Sequence, residues 1–87
     1  MSLFTLIENW EGRFKKNSFE TVSYAKKIAD KLNSQLTVLT FSAKQPSELS
    51  KFGADKIINI SNIKFEEASN DLIAEICQNH IQDGNYQ

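Results

Sequence analysis

Residues 3–7, LFTLI, form a nearly continuous apolar run, and residues 8–10, ENW, follow it directly. Such runs are typical of parallel strands that are covered on both faces, whereas exposed antiparallel strands alternate polar and apolar residues. Residues 9–17 hold a glycine and three basic side chains, which indicates a loop. An amphipathic segment comes next, so the pattern predicts the start of a strand–helix–strand unit.

The first helix is predicted over residues 19–32. Ser18 has the side chain of a good N-cap, and Glu20 lies where a carboxylate favours the helix dipole. Apolar residues at three- and four-residue spacings predict one buried face, formed by Phe19, Val22, Ala25, Ile28, Ala29 and Leu32. The other side carries Lys26, Lys27, Asp30 and Lys31. Asn33 is suited to end the helix in a left-handed conformation.

Two more strands and a short helix follow. β-branched and aromatic residues predict strands over residues 36–41 and Lys56–Ile60. Between them a proline suits the first turn of a helix over Pro46–Phe52, and Gly53 suits the position just past its end. Two apolar side chains of this helix are expected to face the sheet, Leu49 and Phe52.

The last helix is predicted to begin at Phe65 or Glu66 and to run to Ile81. Its apolar residues fall on or near one face, which comprises Phe65, Ala68, Leu72, Ile73, Ile76, Cys77 and His80. Three acidic residues, Glu66, Glu67 and Asp71, are placed in its first turns, where carboxylates suit the helix dipole.

The element order β-α-β-α-β-α predicts a three-layer α/β fold, with a parallel sheet and right-handed crossovers. We expect strand order 3-2-1, as in an incomplete doubly wound, Rossmann-like nucleotide-binding domain. Residues 1–87 then form one domain that is truncated before its fourth strand, which GNYQ at 84–87 would begin. The last helix should cross to the face opposite the first two.

Without that fourth strand, strand one would be an open edge. Open edges are templates for pairing with another chain. We therefore expect self-association through the edge of strand one.

Composition narrows the function classes. The chain has 87 residues, a net charge of −1 and a pI near 5.7, which argues against nucleic-acid or membrane-surface binding. The apolar run near the N-terminus has no basic region before it and is too short to span a bilayer, so we expect a cytoplasmic protein. Cys77 is the only cysteine, which excludes an intramolecular disulfide and a multi-cysteine metal site.

The loop after strand one lies at the carboxyl end of the sheet, where α/β folds bind ligands. It holds only Gly12, and Glu8 and Glu11 would repel a phosphate, so neither a dinucleotide fingerprint nor a P-loop is present. We interpret Trp10 as a cap on the core, with stacking on an adenine or contact with a partner as alternatives.

Other reactive or charged residues have structural interpretations. Arg13, Lys15 and Lys16 are read as a solvated loop, with an acidic partner as the alternative. Cys77 is read as a small buried hydrophobe, although His80 lies three residues on and an enzyme using this thiol is the alternative. No catalytic, cofactor-binding or metal-binding residue is predicted, and we do not expect an enzyme.

Two segments together resemble a known family. Residues 7–32 read IENWEGRFKKNSFETVSYAKKIADKL, and residues 52–58 read FGADKII. A strand ending in Glu, a Gly-Arg-Phe-Lys-Lys loop, a serine-led helix and a later Gly-Ala-Asp-Lys before a strand resemble the start of the electron transfer flavoprotein alpha subunit. The family commonly has a glycine after strand two, where this chain has Phe41-Ser42-Ala43.

The resemblance implies an electron carrier. In that family the alpha subunit pairs with a beta subunit and carries FAD, taking electrons from acyl-CoA and related dehydrogenases and passing them to a quinone reductase. The FAD is held mainly by the C-terminal domain of the alpha subunit, so no FAD is expected on residues 1–87 alone.

The resemblance makes residues 1–87 a scaffold and subunit-contact domain, and the face around Trp10 and Phe14 is the candidate contact. The alternative function is a stand-alone adenine-nucleotide-binding domain that uses the crevice beyond Asn9 and Ser42.

Overall fold

A computed structural model describes residues 2–84 and contains a three-stranded parallel sheet. The strands are β1 (Ser2–Leu6), β2 (Gln35–Phe41) and β3 (Lys56–Ile60), in the order β1-β2-β3. Thr5 of β1 is opposite Val38, which in turn is opposite Ile57 of β3. The predicted order 3-2-1 is therefore confirmed.

The first helix, α1 (Lys16–Lys31), begins three residues before the predicted start. Ser18 lies inside its first turn and is buried, and its hydroxyl donates to the carbonyl of Glu8 at 3.0 Å. The N-cap prediction was wrong because this hydroxyl binds the segment after β1 instead of the helix amides. Glu20 consequently lies beyond the first turn.

The buried stripe of α1 is Ser18, Val22, Ala25 and Ala29. Ile28 and Leu32 were predicted on the buried face, but they are 37% and 51% exposed. The stripe follows i, i+4, i+7 and i+11 from Ser18, which turns Ile28 outward and leaves Leu32 beyond the last turn. Asn33 ends the helix with a φ of 53°, as predicted.

Helices and turns cover both faces of the sheet, which confirms the three-layer architecture. On one face α1 packs on a core of Ile7, Val22, Ala25, Ala29, Leu36, Val38, Leu49 and Ala54. On the other face Leu39 and Phe41 are fully buried, and the ring of Phe65 meets that of Phe41 edge-on at 5.5 Å. β2 is buried at six consecutive residues because it is the central strand.

The segment Pro46–Phe52 has the predicted bounds but is a 3₁₀ helix. Its side chain Leu49 is fully buried, as predicted. Phe52 was expected to face the sheet, but it is 39% exposed and stacks on Phe19 of α1 at 4.5 Å. Gly53 then closes the turn with a φ of 118°.

The predicted last helix is divided in two. A short 3₁₀ helix, Phe65–Glu67, is followed by α2 (Asn70–Gly84). The break arises because Ser69 caps α2, its hydroxyl accepting from the Leu72 amide at 3.1 Å. The apolar face predicted for this region is half-buried throughout. The fourth strand expected near 84–87 falls on residues 85–87, outside the described residues.

Candidate functional site

The loops at the carboxyl edge of the sheet are joined by Asn9. Its buried amide nitrogen donates to the Thr40 hydroxyl at 2.8 Å and to the carbonyl of Phe41 at 2.7 Å. Its amide oxygen accepts from the backbone of Gly12 at 3.1 Å. The Asn9 side chain therefore joins the segment after β1 to the end of β2 and to the turn at Gly12. Both of its N–H donors are used in these contacts, so neither is free for a ligand.

A second set of polar contacts joins β2 to β3. Asn59 accepts from the amide of Ala43 at 3.0 Å and donates to its carbonyl at 3.3 Å. Ser42 has a φ of 47°, and its hydroxyl donates to the carbonyl of Ile63 at 2.8 Å. This left-handed backbone is one that glycine adopts more readily than serine, and the hydroxyl of Ser42 ties the turn after β2 to the segment after β3.

The turn after β1 is closed by backbone hydrogen bonds and tightly packed. Trp10 and Arg13 exchange backbone hydrogen bonds of 3.0 and 2.9 Å, and Glu11 and Gly12 between them have φ values of 52° and 83°. A Cβ on Gly12 would lie 2.8 Å from a side-chain carbon of Lys44 and 3.0 Å from the carbonyl of Ser42. The glycine therefore permits loop-to-loop packing, a role that the sequence did not reveal.

Beside this turn is an open pocket of about 380 Å³, lined by the end of β1, by Trp10 and by the first turns of α1. Trp10 is 57% exposed, so the interpretation of Trp10 as a core cap was wrong. Phe14 is half-buried against the core and meets Phe19 edge-on at 5.9 Å. The two candidate contact residues thus differ: Trp10 presents its ring to solvent, and Phe14 anchors the loop.

The pyrophosphate of a flavin or nucleotide does not fit this loop. A phosphate cradle requires free backbone amides beside small residues at a helix start. Here the Gly12 amide is taken by Asn9, the space beside Gly12 is filled by Lys44, and the carboxylates of Glu8 and Glu11 are exposed nearby. The contacts of this loop join β1 to β2 and position the backbone of Trp10.

The Gly-Ala-Asp-Lys segment, residues 53–56, lies at the amino ends of β2 and β3. Its Asp55 forms a clamp with Lys26 of α1 and the backbone of Leu36. The Asp55 carboxylate accepts from the Leu36 amide at 2.7 Å and lies 3.2 Å from the Lys26 ammonium, which is also 3.4 Å from Asp30. A Cβ on Gly53 would lie 2.5 Å from a side-chain carbon of Lys26. The clamp ties α1, β2 and the turn before β3 together.

Asp55 and Lys26 each stabilise the charged form of the other. The hydrogen bond from Leu36, followed by the contact with Lys26, lowers the pKa of Asp55. The hydrogen bond to Asp55 is the main reason that the pKa of Lys26 is raised. The sequence pattern predicted Lys26 on the solvent side of α1. Asp55, two residues after Gly53, is the residue that could have indicated that Lys26 forms an ion pair.

Cys77 does not have the setting of an activated thiol. It is half-buried on α2, and burial raises its pKa, whereas a nucleophilic cysteine has a lowered one. The Nδ1 of His80 donates to the carbonyl of Ile76 at 2.9 Å. Within residues 2–84 no group of three or more histidine, cysteine or carboxylate side chains is arranged to hold a metal ion.

The remaining charged candidates lie at the surface or at helix starts. Arg13, Lys15 and Lys16 are exposed, as the solvated interpretation requires, but Lys16 is the first residue of α1 and not part of the loop. Glu66 and Glu67 belong to the separate 3₁₀ helix, and only Asp71 lies in the first turn of α2. None of the helices in residues 2–84 has the length and apolarity needed to cross a membrane.

Comparison with known proteins shows which family the chain belongs to. The model of the electron transfer flavoprotein domain matches residues 3–87. No curated protein and no solved structure gives a significant match. The matched residues include the turn held by Asn9 and the clamp formed by Asp55. The chain therefore belongs to the electron transfer flavoprotein domain family, whose members are electron-transfer proteins.

Proposed function

We propose that this chain is the N-terminal portion of an electron transfer flavoprotein alpha subunit, and that it serves as a scaffold and subunit-contact domain. The family match over residues 3–87 carries the proposal. The alpha assignment is supported by the resemblance of residues 7–32 and 52–58 to the start of that subunit. In this role the chain supports electron transfer between acyl-CoA or related dehydrogenases and a quinone reductase without reacting itself.

The turn at residues 10–13 is the proposed contact with the beta subunit. Trp10 offers a large, amphipathic ring that is 57% exposed, and tryptophan is enriched among residues that dominate binding energy. The backbone pairing with Arg13 and the packing of Phe14 on the core hold the backbone of this turn in place. A preformed contact loses little conformational entropy on binding, which favours affinity.

The FAD of the family is assigned to the rest of the alpha subunit, with help from the beta subunit. The loop after β1 supports this assignment, because Asn9 and Lys44 already occupy the groups and the space that a pyrophosphate requires. We expect the chain to bind no FAD of its own.

The subunit contact is tested by calorimetric titration of the chain with the beta subunit. We expect Trp10→Ala to weaken binding about tenfold or more, the effect of losing one interface anchor. Leu32→Ala is the control, since Leu32 is an exposed apolar residue just past the end of α1, and we expect a change of less than about twofold. Equal binding by wild type and Trp10→Ala would contradict the proposal.

The alternative, an adenine-nucleotide-binding domain, is supported by the pocket beside Trp10 at the carboxyl end of β1. Trp10 is the only tryptophan and lines this pocket, so its fluorescence reports on occupancy. We expect titration with AMP, ATP or FAD to leave that fluorescence without a saturable change. A saturable change would favour the nucleotide-binding alternative.

We also propose self-association through β1. In residues 2–84 this strand borders one strand only, β2, and its side chains are half-buried from Leu3 to Leu6. Static light scattering should show a molar mass that rises with protein concentration. A constant monomer mass would count against this contact.

A further inference from the structure

A groove on the outer side of α1 is distinct from the Trp10 pocket. It has a volume of about 430 Å³ and lies between α1 and the 3₁₀ helix Pro46–Phe52. Its floor is aromatic, formed by Phe19 and Phe52, whose rings stack at 4.5 Å with an angle of 22°. Tyr24 lines the same groove and is 68% exposed.

The groove is unusual because it leaves aromatic surface in water. Phe52 is 39% exposed although its partner Phe19 packs on the core. Contiguous exposed apolar patches with a polar rim mark sites of interaction. Tyrosine at such a patch combines a large apolar area with few rotatable bonds, which suits a binding contact.

The walls of the groove are fixed before anything binds. The 3₁₀ helix is closed by Gly53, which packs directly against the side chain of Lys26 in α1. Asp55 then links Lys26 to the start of β2. Because the two walls are tied to one clamp, a ligand would meet a preformed surface.

The charge around the groove indicates what would occupy it. Lys16 and Lys27 are exposed on the groove itself, where Glu20 is the single acidic lining residue. A basic rim around an apolar floor complements a segment that carries apolar side chains beside carboxylates.

We infer that this groove, an aromatic floor of Phe19, Tyr24 and Phe52 between Lys16 and Lys27, docks an acidic amphipathic segment of a partner protein. The segment inserts an aliphatic or aromatic side chain over the stacked rings and places carboxylates near the two lysines. This surface is separate from the Trp10 turn, and it does not depend on the identity of the flavoprotein partner.

The probe is a synthetic amphipathic peptide with leucine and phenylalanine four residues apart and glutamates on either side. Its matched control carries lysine in place of each glutamate. Titration into the isotopically labelled chain should shift the amide signals of residues 16–27 and 49–53 with the acidic peptide only. Added salt should weaken binding, because the rim charges are exposed.

Variants separate the groove from the rest of α1. We expect Tyr24→Ser and Lys27→Glu each to weaken binding of the acidic peptide about fivefold or more. Leu32→Ser and Lys31→Glu are the controls, an exposed apolar residue and an exposed lysine near the end of the same helix, and should change it by less than about twofold. All four side chains are exposed, so the variants should fold.

Three results of the peptide experiments would overturn the inference. They are no saturable binding of the acidic peptide, equal binding of the acidic and basic peptides, and equal losses in the test and control variants. A dimer that dissociates in Tyr24→Ser would also overturn it, because the occupant would then be a second copy of the chain.

Discussion

Single polar side chains determine how the strands and turns of this protein are joined. Asn9 satisfies three backbone or hydroxyl groups from different segments, and Asp55 joins an amide of β2 to a lysine of α1. Asn9 follows the apolar run of β1, and Asp55 follows Gly53. Most of their hydrogen-bond partners, however, are 19 to 32 residues away in the sequence. Side-chain identity therefore predicted the left-handed ends at Asn33 and Gly53, whereas these distant pairings required the fold.

Replacing Asn9 should destabilise the whole domain. Asn9→Ala removes three hydrogen bonds and leaves the buried carbonyl of Phe41 and the amide of Gly12 without that partner, so we expect the free energy of unfolding to fall by about 2–3 kcal/mol. Asn62→Ala, at an exposed position, should change it by less than about 0.5 kcal/mol. Urea unfolding measures both, and equal stability of Asn9→Ala and wild type would contradict the role of Asn9.

Asp55 should make stability depend on acid pH. Its pKa is lowered in the folded state, so its stabilising effect is present above the unfolded pKa of about 3.9 and is lost as pH falls through the folded value. Near neutral pH, Asp55→Asn should lower the free energy of unfolding by about 1 kcal/mol, a charged hydrogen bond discounted for solvent exposure.

The comparison of wild type with Asp55→Asn across pH tests this assignment. The difference in free energy of unfolding should shrink as the pH is lowered below about 4. A difference that stays constant between neutral and acid pH would show that the carboxylate charge contributes nothing.

Secondary-structure elements were predictable where local chemistry decides their ends. β3 and the segment Pro46–Phe52 have the predicted bounds, because β-branched runs, a leading proline and a following glycine act locally. The start of α1 was missed because Ser18 binds the carbonyl of Glu8, ten residues earlier. Trp10 was misread because an aromatic residue after a strand does not reveal its exposure.

The break before α2 rests on Ser69. Ser69→Ala removes the hydroxyl that accepts from the Leu72 amide, so we expect a loss of about 1 kcal/mol and faster hydrogen exchange in the first turn of α2. Ser61→Ala, an exposed serine in the preceding turn, is the control and should leave that exchange unchanged. Unaltered exchange at Leu72 in Ser69→Ala would exclude the cap.

At the scale of the whole molecule, the layers and the strand order followed from the element order alone, since parallel strands with right-handed crossovers leave few topologies. The candidate site did not follow in the same way. Sequence pattern located the loop after β1, but its hydrogen bonds, the exposure of Trp10 and the filled space beside Gly12 depend on the folded structure.

The most direct measurement of the proposed subunit-contact role is amide chemical-shift mapping of the labelled chain during titration with the beta subunit. The proposed role predicts saturable shifts concentrated at residues 9–14, with small changes around Lys31 and Leu32 near the end of α1. No saturable shift, or shifts confined to the groove between α1 and Pro46–Phe52, would contradict it.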